Sequence, residues 1–141
     1  MIDIKNIVYQ FISQQKLAVV STISPDNNPE AALVGIAVTE NFDIIFDTVK
    51  TSRKYANLRQ NPKVAVVIGW DSETTVQYEG EAQVLENDAD SQKLREVYYN
   101  AYPDGRERTE TWPNLVHIRI TPKWLRYSKF DDPVVMEEMV F

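Results

Sequence analysis

Hydrophobic and polar positions change their period several times along the chain, and each change predicts an element. Behind Asp3, a good N-cap, the apolar residues Ile4, Ile7, Val8, Phe11 and Ile12 fall on one stripe at helical spacing. That stripe predicts a short amphipathic helix covering one end of a sheet. From Leu17 to Ile23 the chain is dense in β-branched residues, and Ser24-Pro25-Asp26-Asn27-Asn28-Pro29 follows as turn chemistry. Glu30 to Thr39 resumes as strand, and Glu40-Asn41 makes a tight connection into Asp43 to Thr48. Three strands joined by short turns predict an antiparallel meander, since a parallel crossover needs about a dozen residues.

A short helix is expected from Ser52 to about Asn61, with Tyr55 and Leu58 inward and Pro62 as its stop. Lys63 to Trp70 is a strand whose apolar run, Val64 to Ile68, predicts cover on both faces. Thr74 to Leu85 is another strand, with a bulge or bend at Gly80. Asn87-Asp88 opens a helix running through Leu94, Val97, Tyr98 and Ala101, which Pro103-Asp104-Gly105 closes. Leu115 to Thr121 and Lys123 to Phe130 read as the last two strands, and Asp131 to Phe141 shows no period. Six or so antiparallel strands with short helices predict a mostly β fold that closes into a small barrel, because closure removes exposed edges. Residues 1–141 read as a single domain without repeats.

Composition narrows the chemistry. With 15 Lys and Arg against 21 Asp and Glu the net charge is −6, which argues against a nucleic-acid partner. Cysteine is absent and His117 is the sole histidine, so thiolate nucleophiles, Cys-ligated metals and a Ser-His-Asp triad are all disfavoured. No metal site is expected, and the pattern assigns no side chain as general acid or base. No apolar run approaches the roughly 18 residues of a membrane helix, and the first residues lack the pattern of a signal peptide. A cytoplasmic protein is the expectation.

The most informative stretch is Thr48-Val49-Lys50-Thr51-Ser52-Arg53-Lys54-Tyr55, where a strand is expected to hand over to a helix. Free N–H groups and the positive end of the helix dipole make such a junction hospitable to an anion. Arg53 and Lys54 would occupy the first turn, where the dipole disfavours cations. Positive charge stacked there fits a phosphate dianion, with hydroxyl donors from Thr48, Thr51 and Ser52. The spacing alone leaves a second reading open, in which Thr51 or Ser52 simply caps a helix with solvated cations.

Phe46-x-Thr48-x-x-x-Ser52-Arg53-Lys54, followed by Leu58, Asn61-Pro62, Val64 and Trp70, resembles the pyridoxamine 5′-phosphate oxidase-related flavoproteins, in particular their small general-stress-protein group. The run Thr121-Pro122-Lys123-Trp124-Leu125-Arg126-Tyr127 extends the likeness over nearly the whole chain. The resemblance implies a six-stranded antiparallel Greek-key split barrel that binds FMN in a groove between the subunits of a homodimer. By position it also implies that Thr48, Ser52, Arg53 and Lys54 surround the ribityl phosphate. A small-molecule substrate or electron donor would be the remaining partner. The full oxidases carry an Arg and a Lys on the preceding strand and a longer C-terminal segment that binds substrate. Here Ala32 to Ala37 holds no cation and that segment is lacking, so the likeness reaches the cofactor and not pyridoxamine phosphate oxidation. Flavin chemistry resides in the cofactor ring, which suits a chain poor in catalytic side chains.

Thr75 and Gln77, before Gly80, are the candidates for hydrogen bonds to a flavin edge, with ordinary strand positions as the alternative. Trp70, Trp112 and Trp124 are candidates for ring stacking or for packing. His117 shares a face with Arg119 and is expected at the surface or an interface; a haem-binding relative of the barrel would use such a histidine. Two alternatives to an FMN oxidoreductase follow: a non-catalytic flavin- or haem-binding module, and a deazaflavin (F420) reductase, which the −6 charge disfavours.

Overall fold

A computed structural model describes residues 3–141. Helix α1 spans Ile4–Ser13, and Asp3 caps it as expected, its carboxylate accepting from the Asn6 N–H at 3.2 Å. Strands β1 (Leu17–Ile23), β2 (Pro29–Gly35), β3 (Ala37–Val38) and β4 (Ile44–Val49) precede helix α2 (Arg53–Gln60). Then come β5 (Lys63–Ile68), β6 (Thr74–Val84), helices α3 (Ala89–Ala101) and α4 (Asp104–Thr111), and strands β7 (Leu115–Lys129) and β8 (Val135–Val140). The fold is mostly β with short helices.

The strands form one antiparallel sheet in the order β2-β1-β5-β6-β7-β4-β3, with β8 added to β7. Its two ends, β2 and β3, are parts of one segment interrupted only at Ile36, so the sheet curls until chain continuity closes it. The expected antiparallel meander holds in its pairing, β1 with β2 and β3 with β4, but the strand expected from Glu30 to Thr39 is broken at Ile36, whose N–H reaches the Lys16 carbonyl at 3.0 Å, and β4 pairs with β7 on its other side. Period-two alternation fixes which side chains face inward but not which strands become neighbours.

Two strands expected after Leu115 are a single strand. Pro122 survives inside β7 because it stands where the partner changes, between the β4 ladder ending at Ile120 and the β8 ladder starting at Trp124. On its other side β7 meets the expected irregularity: the β6 register shifts between Glu79 and Gly80, and Gly80 lies opposite Pro122. A Cβ on Gly80 would come within 2.4 Å of the Thr121 carbonyl oxygen and 2.7 Å of Ile120 Cγ2. Gly80→Ala is therefore expected to cost about 2 kcal/mol in a urea denaturation, in the range of overpacked cores. An unmoved midpoint would show that the strand crossing relaxes freely. Helix α4 and strand β8 escaped the sequence reading, the first for want of an apolar stripe and the second because the apolar and acidic residues of Val135-Met136-Glu137-Glu138-Met139-Val140 do not alternate.

The barrel interior holds Val20, Phe46, Val66, Ile68, Tyr78, Ile118 and Ile120, with Val8 and Ile12 of α1 closing one end. The Tyr78 hydroxyl, buried among them, donates to the Phe42 carbonyl at 2.7 Å, which satisfies its polar atom. A smaller core of Ala37, Ile45, Leu85, Tyr98 and Tyr99 lies between the outside of the sheet and α3. The rest of the outer face is barer than the apolar run of β5 predicted. Leu33, Val19 and Val67 form a row across β2, β1 and β5, and they are 64%, 37% and 48% exposed. Within the chain, β5 is covered on one face only. Among the described residues no helix is long and apolar enough to cross a membrane.

Candidate functional site

The junction between β4 and α2 forms as its residue types dictate. Ser52, in extended conformation, is the N-cap of α2, and its Oγ accepts from the Tyr55 N–H at 3.2 Å. The buried Thr48 hydroxyl meets the same Oγ at 3.0 Å, which ties the end of the strand to the start of the helix. The capping reading of Ser52 is thus real, and it leaves the other N–H groups of the first turn without intrahelical partners. No acidic residue stands in that turn. The positive end of the dipole carries only Arg53 and Lys54.

These two cations are held differently. Arg53 is largely exposed, and its Nη1 reaches Glu30 Oε2 on β2 at 3.3 Å. Glu30 is fixed from beneath: the Asn57 amide donates to its Oε1 at 2.8 Å and to Thr22 Oγ1 at 3.0 Å, and Asn57 itself is buried. Asn57 replaces Tyr55 as the inward partner of Leu58 on α2, while Tyr55 keeps its hydroxyl toward Arg59. Lys54 is half-buried and forms no ion pair among the described residues. Burial lowers its ammonium from the ordinary lysine range, and Asp47 opposes the shift only in part. Asp47 is already held by Arg108, through Nη2 at 3.1 Å and Nε at 3.2 Å. A desolvated ammonium at the start of a helix, lacking a counter-charge of its own, is chemically suited to a phosphate.

Thr75 and Gln77 lie elsewhere. Thr48 stands opposite Val116 on β7, whereas Gln77 stands opposite Arg126 and Thr75 opposite Ser128. Ten or more positions of β7 separate the two groups, roughly 30 Å of strand path. The Thr75 hydroxyl donates to the Ile68 carbonyl at 3.3 Å and lines a recess of about 550 Å³ between Trp70 and Phe130. Gln77 is exposed, next to Val67 in the bare apolar row. Trp70, 85% exposed, borders both that recess and a neighbouring groove of about 560 Å³ against Leu17, Val19, Leu33 and Val67. Each of the other two tryptophans has an arginine over its ring, Arg108 over the half-exposed Trp112 and Arg126 over Trp124. His117 contradicts its expected surface position. It is 3% exposed, opposite Asp47 on β4, with Tyr98 and Tyr99 against its ring.

Sequence reasoning missed Glu30, Asn57 and the Asp47–Arg108 pair, each of which shapes the charge at the junction. Nothing local marks them, because their partners are 23, 27 and 61 positions away.

The sequence model of a family described as pyridoxamine 5′-phosphate oxidase matches residues 5–129. No curated protein matches the chain. Among solved structures, the general stress protein 26 of Bacillus anthracis str. Sterne aligns with a TM-score of 0.76 and 23% identity, over 99% of this chain and all of that one. A heme binding protein from Mycobacterium smegmatis aligns at 0.84 with 11% identity, over 99% of this chain, which spans only 59% of that protein. A pyridoxamine 5′-phosphate oxidase-related, FMN binding protein from Nostoc punctiforme aligns at 0.71 with 10% identity, over 100% and 98% of the two chains. At these identities the likeness is one of fold.

Proposed function

The chain belongs to the pyridoxamine 5′-phosphate oxidase family, and we propose that within it the protein is an FMN-binding flavoprotein acting as a flavin-dependent oxidoreductase on a small molecule in the cytoplasm. One observation carries the reading: Lys54, half-buried at the start of α2, faces no carboxylate free to pair with it. A phosphate ester supplies that missing charge. Arg53 would turn from Glu30 to a second phosphate oxygen, and the Thr48 and Ser52 hydroxyls would hold the anion at the helix start. Bound FMN would supply hydride or electron transfer; the chain's part is to grip the phosphate, orient the ring and keep water off it.

Thr75 and Gln77 are too far along β7 to meet the ring of a cofactor anchored on the same chain. We therefore assign them to the groove of a homodimer, where each copy would bring its Thr75 and Gln77 to a phosphate junction on the other. The exposed row Leu33, Val19 and Val67, with Trp70 beside it, supports such a pairing, since burying it removes apolar surface from water. Haem is the second reading, and the heme binding protein among the structural neighbours supports it.

A spectrum and a titration separate these outcomes. The protein loaded with FMN is expected to show flavin bands that bleach with dithionite, and to sediment at twice the 16.3 kDa chain mass. Riboflavin, which lacks the phosphate, is expected to bind roughly a hundredfold more weakly. Equal affinity for the two would remove the phosphate from the argument. A Soret band with no affinity for FMN would favour haem, and a single-chain mass would exclude the shared groove.

A further inference from the structure

On the other side of β7 from the barrel core, α3 and α4 enclose a cavity of about 420 Å³ that the flavin reading does not use. Its buried lining includes Leu85, Tyr99 and His117, and toward solvent it carries Arg95, Arg106 and Glu110. The volume lies within the range of small-molecule sites. His117 lines it at 3% exposure, and its Nε2 is the sole buried side-chain nitrogen or oxygen without a hydrogen-bond partner among the described residues. A buried polar atom left unpaired costs free energy, so an unpaired nitrogen on a ring that lines a cavity points to a partner that the chain does not supply. The neighbouring Tyr99 hydroxyl is already bonded to Thr109 at 2.8 Å, which leaves the imidazole as the unsatisfied group.

The cations are fixed in place. Arg95 Nη2 donates to the Leu85 and Glu86 carbonyls at 3.2 and 2.8 Å, which anchors one end of its guanidinium and leaves Nε and Nη1 without partners among the described residues. Arg106 is gripped by Glu96 at 2.6 Å and lies over the Tyr99 ring at 4.6 Å. Arg106 is thus paired, and Arg95 is the guanidinium with donors to spare for an anion at the outer part of the cavity, where Glu110 is the carboxylate of the lining. Leu85, Leu115 and Val116 give the lining its apolar part, beside the Tyr99–Thr109 hydroxyl pair and one neutral imidazole.

We propose that this cavity is a second binding site, taking a small organic acid with an apolar body, its carboxylate at Arg95 and a hydroxyl at its inner end bonded to His117. The assignment does not rest on the flavin reading, although the two sites are neighbours: Asp47 stands opposite His117 and also acts on Lys54 at the start of α2. The imidazole, held neutral by burial with a pKa near 4, both donates and accepts, and a hydroxyl matches either nitrogen. The apolar body would lie against Tyr99 and Leu85.

Because His117 is the single histidine, its imidazole gives one set of signals in a sample labelled with ¹⁵N-histidine. The probes are 4-hydroxybenzoate, benzoate without the hydroxyl, phenol without the carboxylate, and FMN. The proposal expects a saturable shift with 4-hydroxybenzoate below ~1 mM, and roughly tenfold weaker binding of benzoate and of phenol. Arg95→Gln should weaken both acids by the same factor, and His117→Phe should erase the preference for the hydroxylated acid. If the phenylalanine variant fails to fold, the comparison of probes on the unaltered protein decides alone. No saturable shift with any acid, equal affinity for benzoate and 4-hydroxybenzoate, or displacement of the bound acid by FMN would each overturn the assignment.

Discussion

Replacing Arg53 and Lys54 together by alanine is expected to weaken FMN binding by about 3 kcal/mol, a rise in Kd of roughly 150-fold, because charge-assisted contacts to a phosphate are removed at the positive end of a helix. The two residues should not contribute equally. Arg53 is largely exposed and must leave Glu30 before it can bind an anion, so its own substitution should account for the smaller part. Lys54 is half-buried with no partner, so Lys54→Ala should carry most of the loss. Glu30→Gln should act in the opposite direction, tightening FMN by removing a competing carboxylate while an amide oxygen still accepts from Asn57. Fluorescence quenching of the flavin measures all four proteins. A Kd unchanged in the double variant, or an Arg53 effect larger than the Lys54 effect, would break the assignment of the phosphate to this junction.

Acid is expected to loosen the protein through one residue. Burial among Tyr98, Tyr99 and the strand pair holds the His117 imidazole down to a pKa of about 4, against an ordinary 6.5. Among the charges near it Asp47 favours protonation, and Arg95 and Arg108 oppose it. Between pH 6.5 and 4 the unfolded chain therefore binds a proton that the folded chain does not, and stability rises with pH across that window. His117 should account for a loss of about 3 kcal/mol on going from pH 7 to below pH 4. Urea midpoints read at intervals from pH 7 to 4 test this, with His117→Phe as the control that should flatten the slope. A midpoint constant down to pH 4.5 would show that the imidazole takes up its proton in place. Carboxylates such as Asp88, whose pKa the Ser91 N–H lowers, lose their contribution only further down, as pH falls through the carboxylate range.

How much of this was legible beforehand can be argued residue by residue. The Asp3 cap, the Ser52 cap and the Gly80 irregularity were readable because each is set by neighbours within a few positions: a side chain reaching an N–H three residues on, or a residue type that alone tolerates the geometry. The cluster of Thr48, Ser52, Arg53 and Lys54 was readable for the same reason. The antiparallel pairing of the first strands was readable from their short turns, but the strand order of the rest of the barrel was not. Pro122 looked like a break between two strands because its missing N–H is disqualifying in a continuous ladder, and only the change of partner from β4 to β8 makes it harmless. His117 looked exposed because it alternates with Val116 and Ile118, yet α3 and α4 cover the outer face of the sheet just there.

The sequence by itself determined the local physics: which segments extend, where helices start, and that two cations gather at the electropositive head of α2. Tertiary structure alone decided what those cations meet. It gave Arg53 a carboxylate from 23 positions upstream, left Lys54 beside an aspartate already held by Arg108, and sealed the lone histidine beneath two helices. The physical reason is range. Caps and turns are fixed by contacts a few residues apart, whereas burial and charge pairing depend on which distant strands become neighbours, and period-two alternation leaves that choice open.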